Sequence, residues 1–301
     1  MIQYTIHIFI FICFYTILSQ SLNLSAGLTG LVSLAHAGFY GIGAYTTAIL
    51  SVRFGFPFWF NLPLAIFISG AIAFIVSAVA LRTVDDYFVI CTLGIQIILF
   101  TIMNNLIGLT RGPLGIYGIP PISFLNFKLD DKIPFLVLSL FFTATIWIAL
   151  SNISKSGFGK ILNSISTDEI YTQSIGKNIY QSKLISFTFS AALAAIPGAL
   201  YAHYISYIDP TSFTIDESIF ILSIVIIGGF GDLRGSLIAT VCLVSLPEIL
   251  RFIGIPEGVA ANARQIIYGI ILIISIILGN NILNPFHWLK LLQRNSYPKN
   301  N

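Results

Sequence analysis

Charged side chains are what this sequence has least of. Only 9% of its 301 residues are Asp, Glu, Lys or Arg, while 56% are hydrophobic. A soluble domain carries about 25% charged residues. So small a polar share cannot cover a folded surface in water, which excludes a water-soluble globular protein. Cysteine is scarce too. Cys13, Cys91 and Cys242 are scattered, each within an apolar stretch, with no CxxC pair and no metal-ligand spacing. They read as small buried hydrophobes, not as a metal site. No Lys or Arg precedes the apolar run from Tyr4 to Leu18. A secretory signal needs a basic segment there, so the run reads as a first membrane span. Catalytic patterns are also missing. There is no GxxxxGKS/T phosphate loop, no HExxH, no GxSxG and no pair of intramembrane aspartates. Asp85 and Asp86 sit at a span boundary, where solvated carboxylates are ordinary. Nor is there a basic stripe with interleaved aromatics for nucleic acid.

What is present is apolar sequence of membrane-crossing length. A spanning helix needs about 20 mainly apolar residues, and about nine candidates occur, near 3–20, 27–51, 60–81, 87–108, 133–151, 184–207, 215–230, 235–253 and 265–283. These runs are continuously apolar, so helices that satisfy their own backbone fit better than the alternating strands of a barrel. The expected fold is an all-α polytopic transmembrane helix bundle, a single domain over 1–301. With nine spans, one face collects nine Lys and Arg residues and the other six. The richer face is the cytoplasmic one, which puts the N-terminus outside, the 152–183 loop inside and a tail of about 284–301 inside.

Two glycine-rich segments interrupt the pattern. Residues 26–43 carry Gly27, Gly30, Gly38, Gly41 and Gly43. Such a segment is either a close-packing face or a broken helix beside a pathway. Residues 228–235 read Gly-Gly-Phe-Gly-Asp-Leu-Arg-Gly, a cytoplasmic turn between two spans. The 152–183 loop is the longest polar stretch. Within it Ser166 and Glu169 have capping-box spacing, and Gly176 is placed to end the helix in a left-handed conformation. Just before, Ile161, Leu162 and Ile165 share one helical face. Two short helices against the membrane follow, either as a plain connector or as a docking element for a cytoplasmic partner. On the other side, Thr110 to Pro121 is a stiff loop rich in Gly and Pro, either a crossover or a surface for an external partner. Within the spans, His36, His203, Asn104, Asn105 and the Glu248–Arg251 pair are the polar candidates. An intramembrane ionisable group faces protein or water, and a lone histidine such as His36 is commonly a hydrogen-bonding link between helices.

At these same places the chain resembles the LivM-type permease of branched-chain amino acid ABC importers. Ser33 to Tyr45 is similar to that family's SLGHAAFFGIGAY stretch, Asp86 to Gly94 to GDYFAIVTLG, and Thr110 to Pro120 to TGGPNGLSGIP. Gly157 to Gly176 is similar to its FGRALRAIRENEIAAEALG segment, Ile227 to Gly235 to LGGLGSLWGP, and Leu246 to Arg251 to LPELLR. Six matches run in order over most of the chain. The resemblance implies a multi-pass inner-membrane permease subunit that is not itself an enzyme and binds no cofactor of its own. It implies a LivH-like sister permease, two cytoplasmic ATPases that bind ATP and Mg, and an external substrate-binding protein as partners, besides membrane lipid and without nucleic acid. Asp168, Glu169 and Gly176 would belong to the segment that seats in an ATPase groove. His36, Gly38, Gly41 and Gly43 would lie on the pathway or in helix packing. The chain departs from the family at Ile97 and Phe100, where an acid and an Arg are common, at Tyr171 and Thr172, where residues are small, and at Leu114, where the family has Asn. Related permeases carry urea or short amides. A stand-alone channel or ion-coupled carrier is the reading from another class, and the sparse ionisable groups in the spans count against it.

Overall fold

The computed structural model describes residues 2–83, 86–124, 127–128, 131–252, 269–270 and 273. Of the sequence expectations, the span at 265–283 (apart from 269, 270 and 273), the tail at 284–301, and the side chains of Asp85, Asp86, Glu248 and Arg251 lie outside the described residues.

The described residues are helical almost throughout. The helices are α1 (Ile2–Thr29), α2 (His36–Phe54), α3 (Phe58–Ala80), α4 (Asp86–Asn105), the single turn α5 (Ile107–Thr110), α6 (Lys132–Lys155), α7 (Gly157–Thr167), α8 (Glu169–Ser174), α9 (Ile179–Ile205), α10 (Ile215–Gly228) and α11 (Leu233–Phe252). Short strands decorate one end. β1 (Ile116–Tyr117) pairs antiparallel with β4 (Tyr207–Ile208), and β2 (Ser123–Phe124) with β3 (Phe127–Lys128).

Six stretches among the described residues are long and apolar enough to cross a membrane: Gln3–Thr29, Phe58–Ala80, Tyr87–Asn105, Lys132–Lys155, Ile179–Ile205 and Pro210–Gly228. The count of about nine is not confirmed among the described residues. The first expected span is longer than its apolar run, because α1 continues to Thr29. The second begins at His36 instead of residue 27. Helix α2 is rich in Gly, Ala, Thr and Tyr and is buried along most of its length. Screened from lipid by its neighbours, it needs no continuous apolar surface. The apolar part of α11 is short, Leu233–Pro247.

Helix α9 lies at the centre, against α1, α2 and α3. Its small residues make that possible. A Cβ on Gly198 would stand 2.1 Å from the Tyr40 carbonyl oxygen, and one on Gly43 would stand 2.3 Å from that of Ala195. The backbones of α2 and α9 therefore touch directly, as in membrane bundles held by small residues. Serine hydroxyls tie the same helices together. Ser190 Oγ donates to the Ser21 carbonyl at 2.5 Å, Ser186 Oγ to Leu24 at 3.2 Å, and Ser69 Oγ to Ala191 at 2.8 Å. Each such bond contributes about 0.6–2 kcal/mol in a membrane.

The glycine-rich segment at 228–235 is a tight turn between α10 and α11, as its sequence predicts. Asn23 of α1 holds it. Its Oδ1 accepts from Gly231 N at 2.8 Å, and its Nδ2 donates to Ser236 Oγ at 2.9 Å and to the Asp232 carbonyl at 3.2 Å.

Candidate functional site

Two regions hold the sequence-predicted residues. The first is the bent segment between α6 and α9. Helix α6 stops at Ser156, whose Oγ accepts from Gly159 N at 3.2 Å and starts α7. A Cβ on Gly159 would stand 2.2 Å from the Ile153 carbonyl, so the chain can fold back tightly there. Helix α7 then buries Leu162 and Ile165, Leu162 in the same apolar cluster as Leu24 of α1. Its sequence face is the one that docks.

Helix α8 is capped differently from the expected Ser166–Glu169 box. Helix α7 runs on to Thr167, so Ser166 is still helical and its Oγ donates to the Asn163 carbonyl at 2.9 Å. Asp168 is the first extended residue (φ −158°, ψ 108°), and its carboxylate accepts from Tyr171 N at 2.9 Å. An anion is a stronger acceptor there than a hydroxyl and complements the helix dipole. Glu169 is displaced to the first helical position and pairs with Lys183 on α9. At the other end, Gly176 has φ +81°. Gly176 N donates to Gln173 O at 2.9 Å and Lys177 N to Thr172 O at 3.4 Å, the two bonds of a Schellman cap. The outcome is a rigid stub that projects Ile170, Tyr171 and Ile175, which are 82%, 62% and 56% exposed. Behind it lies a groove of about 930 Å³ lined by Gly30, Val32, Arg82, Asp168, Lys177 and Lys183, among others.

The second region is the start of α2. Between Gly30 and Ala35 the chain is not helical, so the opening amides of α2 need partners from elsewhere. Gly38 N donates to Gln96 Oε1 of α4 at 2.7 Å, and Ala37 N to Ser218 Oγ of α10 at 3.0 Å. Gln96 Nε2 in turn donates to the Phe213 carbonyl at 2.8 Å, and Leu34 N to Thr92 Oγ1 at 3.1 Å. His36 is buried, with Nε2 2.8 Å from Ser21 Oγ of α1. A Cβ on Gly38 would meet Leu99 and Gln96, and one on Gly41 would meet Met103 and Phe213, all within 3.0 Å. The glycines therefore face α4 and the α9–α10 connection, and α2 is a helix broken off inside the bundle. Both readings of the segment apply to it: glycine packing, and a discontinuous helix.

A family described as "Branched-chain amino acid transport system / permease component" matches residues 4–276. The chain belongs to that family. It is 35% identical over 260 residues to the high-affinity branched-chain amino acid transport system permease protein LivM of Salmonella typhimurium, which covers 79% of this chain and 61% of the relative. It is 24% identical over 275 residues to the probable branched-chain amino acid transport permease protein LivM of Methanocaldococcus jannaschii, covering 78% of each. It is also 24% identical over 294 residues to that organism's probable LivH, covering 91% of this chain and 90% of the relative. The chain thus spans about three-fifths of the length of its enterobacterial LivM relative. No solved structure matches.

In this family member the two groups of predicted residues do not form one site. Asp168, Glu169 and Gly176 sit together in the α8 stub, whereas His36, Gly38, Gly41 and Gly43 lie on α2. His203 is a buried link: its Nε2 lies 3.1 Å from Ser51 Oγ and its Nδ1 2.9 Å from the Ala199 carbonyl. Asn104 and Asn105 bond to each other at 3.3 Å on the surface. Three residues escaped the sequence reading: Gln96, Ser218 and Glu217. Gln96 stands between two apolar residues in a span, and a polar residue amid such a run is the signal that marks it.

Proposed function

We propose that this chain is one of the two channel-forming permease subunits of an ABC importer that moves branched-chain amino acids across the inner membrane. Family membership supports this, and the α8 stub carries it structurally. Ile170, Tyr171 and Ile175 are large apolar side chains exposed on a polar connector. The connector is fixed at both ends by Asp168 and Gly176 and tied to α9 through Glu169 and Lys183. A stiff element with an apolar tip suits a groove on a cytoplasmic ATPase, and its attachment to the central helix gives a lever into the bundle. ATP and Mg would be bound by two such ATPases, and this chain would hold no cofactor itself. A sister permease would complete the pathway. A substrate-binding protein would dock on the opposite end, where Leu114 and Tyr117 stand 79% and 65% exposed. Alternating access is the mechanism: ATP closes the ATPases, the stub moves, and the bundle opens to one side at a time.

The test is Gly176→Val. A β-branched residue is poorly tolerated at positive φ, while a Cβ there meets nothing within 4 Å, so the bundle is spared. The variant is expected in the membrane at normal amounts, with weakened co-purification of the ATPase and no leucine uptake. Normal co-purification with normal uptake would remove the coupling role.

A further inference from the structure

Glu217 is an ionisable residue near the middle of the span Pro210–Gly228. Neighbours on α1 and α4 set its depth. It hydrogen-bonds Tyr15, and Tyr15 is the fourteenth of the 28 residues of α1. The next residue, Ser218, has its Oγ 3.4 Å from Gln96 Oε1, and Gln96 is the eleventh of the 20 residues of α4. Ser218 also receives Ala37 N, in the first turn of α2. The sequence hid this depth, because the apolar run of α10 places Glu217 at its end. The span is in fact completed by the 3-10 turn Pro210–Phe213 that precedes α10.

Its surroundings are aromatic and apolar. Tyr15 stands edge-on to Phe220 at 5.1 Å. Tyr40 and Tyr201 lie near it, their rings tilted to each other with centroids 5.7 Å apart. Glu217 itself is half-buried. A carboxylate open to hydrocarbon at mid-depth is costly, so such groups face water or protein and mark substrate pathways. A carboxylate in a first helical turn also steadies the helix end, but that gain is small against the cost of its depth.

We propose that Glu217 receives the ammonium group of the transported amino acid at mid-membrane. Tyr15 holds the carboxylate in place, aromatic faces add attraction for a cation, and Phe220, three residues on along the same face of α10, offers apolar wall to a branched side chain. This rests on the importer reading above and names one of its specificity residues.

The experiment uses the whole transporter, with sister permease and ATPases, in vesicles supplied with leucine-loaded binding protein. Both leucine uptake and ATP hydrolysis are measured. Glu217→Gln keeps the size and the hydrogen bond to Tyr15 but removes the charge. Uptake should fall about tenfold or more, as expected for losing one charge-assisted partner. ATP hydrolysis triggered by the loaded binding protein should persist, so more ATP is spent per leucine moved. Glu217→Asp should restore a large part of uptake. Unchanged uptake in Glu217→Gln overturns the assignment. So does an equal fall in uptake and hydrolysis, or failure of the complex to assemble in both Glu217→Gln and Tyr15→Phe, since each makes the carboxylate a packing element. If the wild-type complex hydrolyses ATP with its binding protein but moves no branched-chain amino acid, the substrate reading has failed, and this assignment falls with it.

Discussion

Single side chains in this bundle do the work that water does in a soluble protein. Gln96 is the clearest case, since it accepts from Gly38 N and donates to the Phe213 carbonyl. Gln96→Leu would orphan both groups, at about 1–3 kcal/mol each. The purified protein should therefore unfold at a lower temperature in detergent, whereas a surface change such as Ile97→Val should leave the transition where it is. Asp168 and Glu169 divide the roles that spacing alone had assigned to Ser166 and Glu169. Asp168→Ala removes a cap worth about 0.5–2 kcal/mol, so the Tyr171 amide should exchange with deuterium about 2- to 30-fold faster, that energy converted at room temperature. Glu169→Ala removes a partly exposed ion pair, worth about 0–1 kcal/mol, and should change that amide little. Equal exchange in the two variants would return the cap to Glu169.

At the scale of elements, the contact of α2 with α9 decides whether the bundle forms. Gly198→Val or Gly43→Leu places carbon within 2.3 Å of a carbonyl oxygen on the facing helix. No rotamer relieves that, so the helices must part. Either variant should lose most of its monodisperse, heat-resistant fraction in detergent. Gly94→Ala, whose new Cβ meets nothing within 4 Å, should not, and Ala is the better helix former. The long apolar helices were legible because lipid demands continuous apolar surface, and the glycines of α2 because close packing demands their absence of side chain. The docking face of α7 was legible from period alone. What was not legible depends on depth and partners. Ser166 lost its cap because α7 runs two residues further than its spacing suggested. Glu217 was not singled out because the apolar run at 215–230 leaves it near the end, whereas the span begins at Pro210 through a short 3-10 turn. Helix α2 begins nine residues later than the expected span at 27–51, because composition does not mark where a broken helix restarts.

Over the whole molecule, the helix ends sort into two layers. The α7–α8 segment, the α10–α11 turn and the start of α9 share one. The β1–β4 pair, the end of α2 and the start of α6 share the other, where Arg53 reaches the Gly108 and Leu109 carbonyls. Which layer faces the cytoplasm rests on the Lys and Arg bias, and the function argued here needs the α8 stub to be inside. Two exposed positions report on it from opposite layers: Leu114, 79% exposed, and Tyr171, 62% exposed. A membrane-impermeant maleimide applied to spheroplasts should label Leu114→Cys at once and Tyr171→Cys only after the membrane is opened. The parent protein with the exposed Cys242 replaced by Ser, leaving Cys13 buried and Cys91 half-buried, is the blank. Labelling in the reverse order would turn the protein over. It would place Ile170, Tyr171 and Ile175 where no ATPase is present, and with that the coupling role of α8 would be lost.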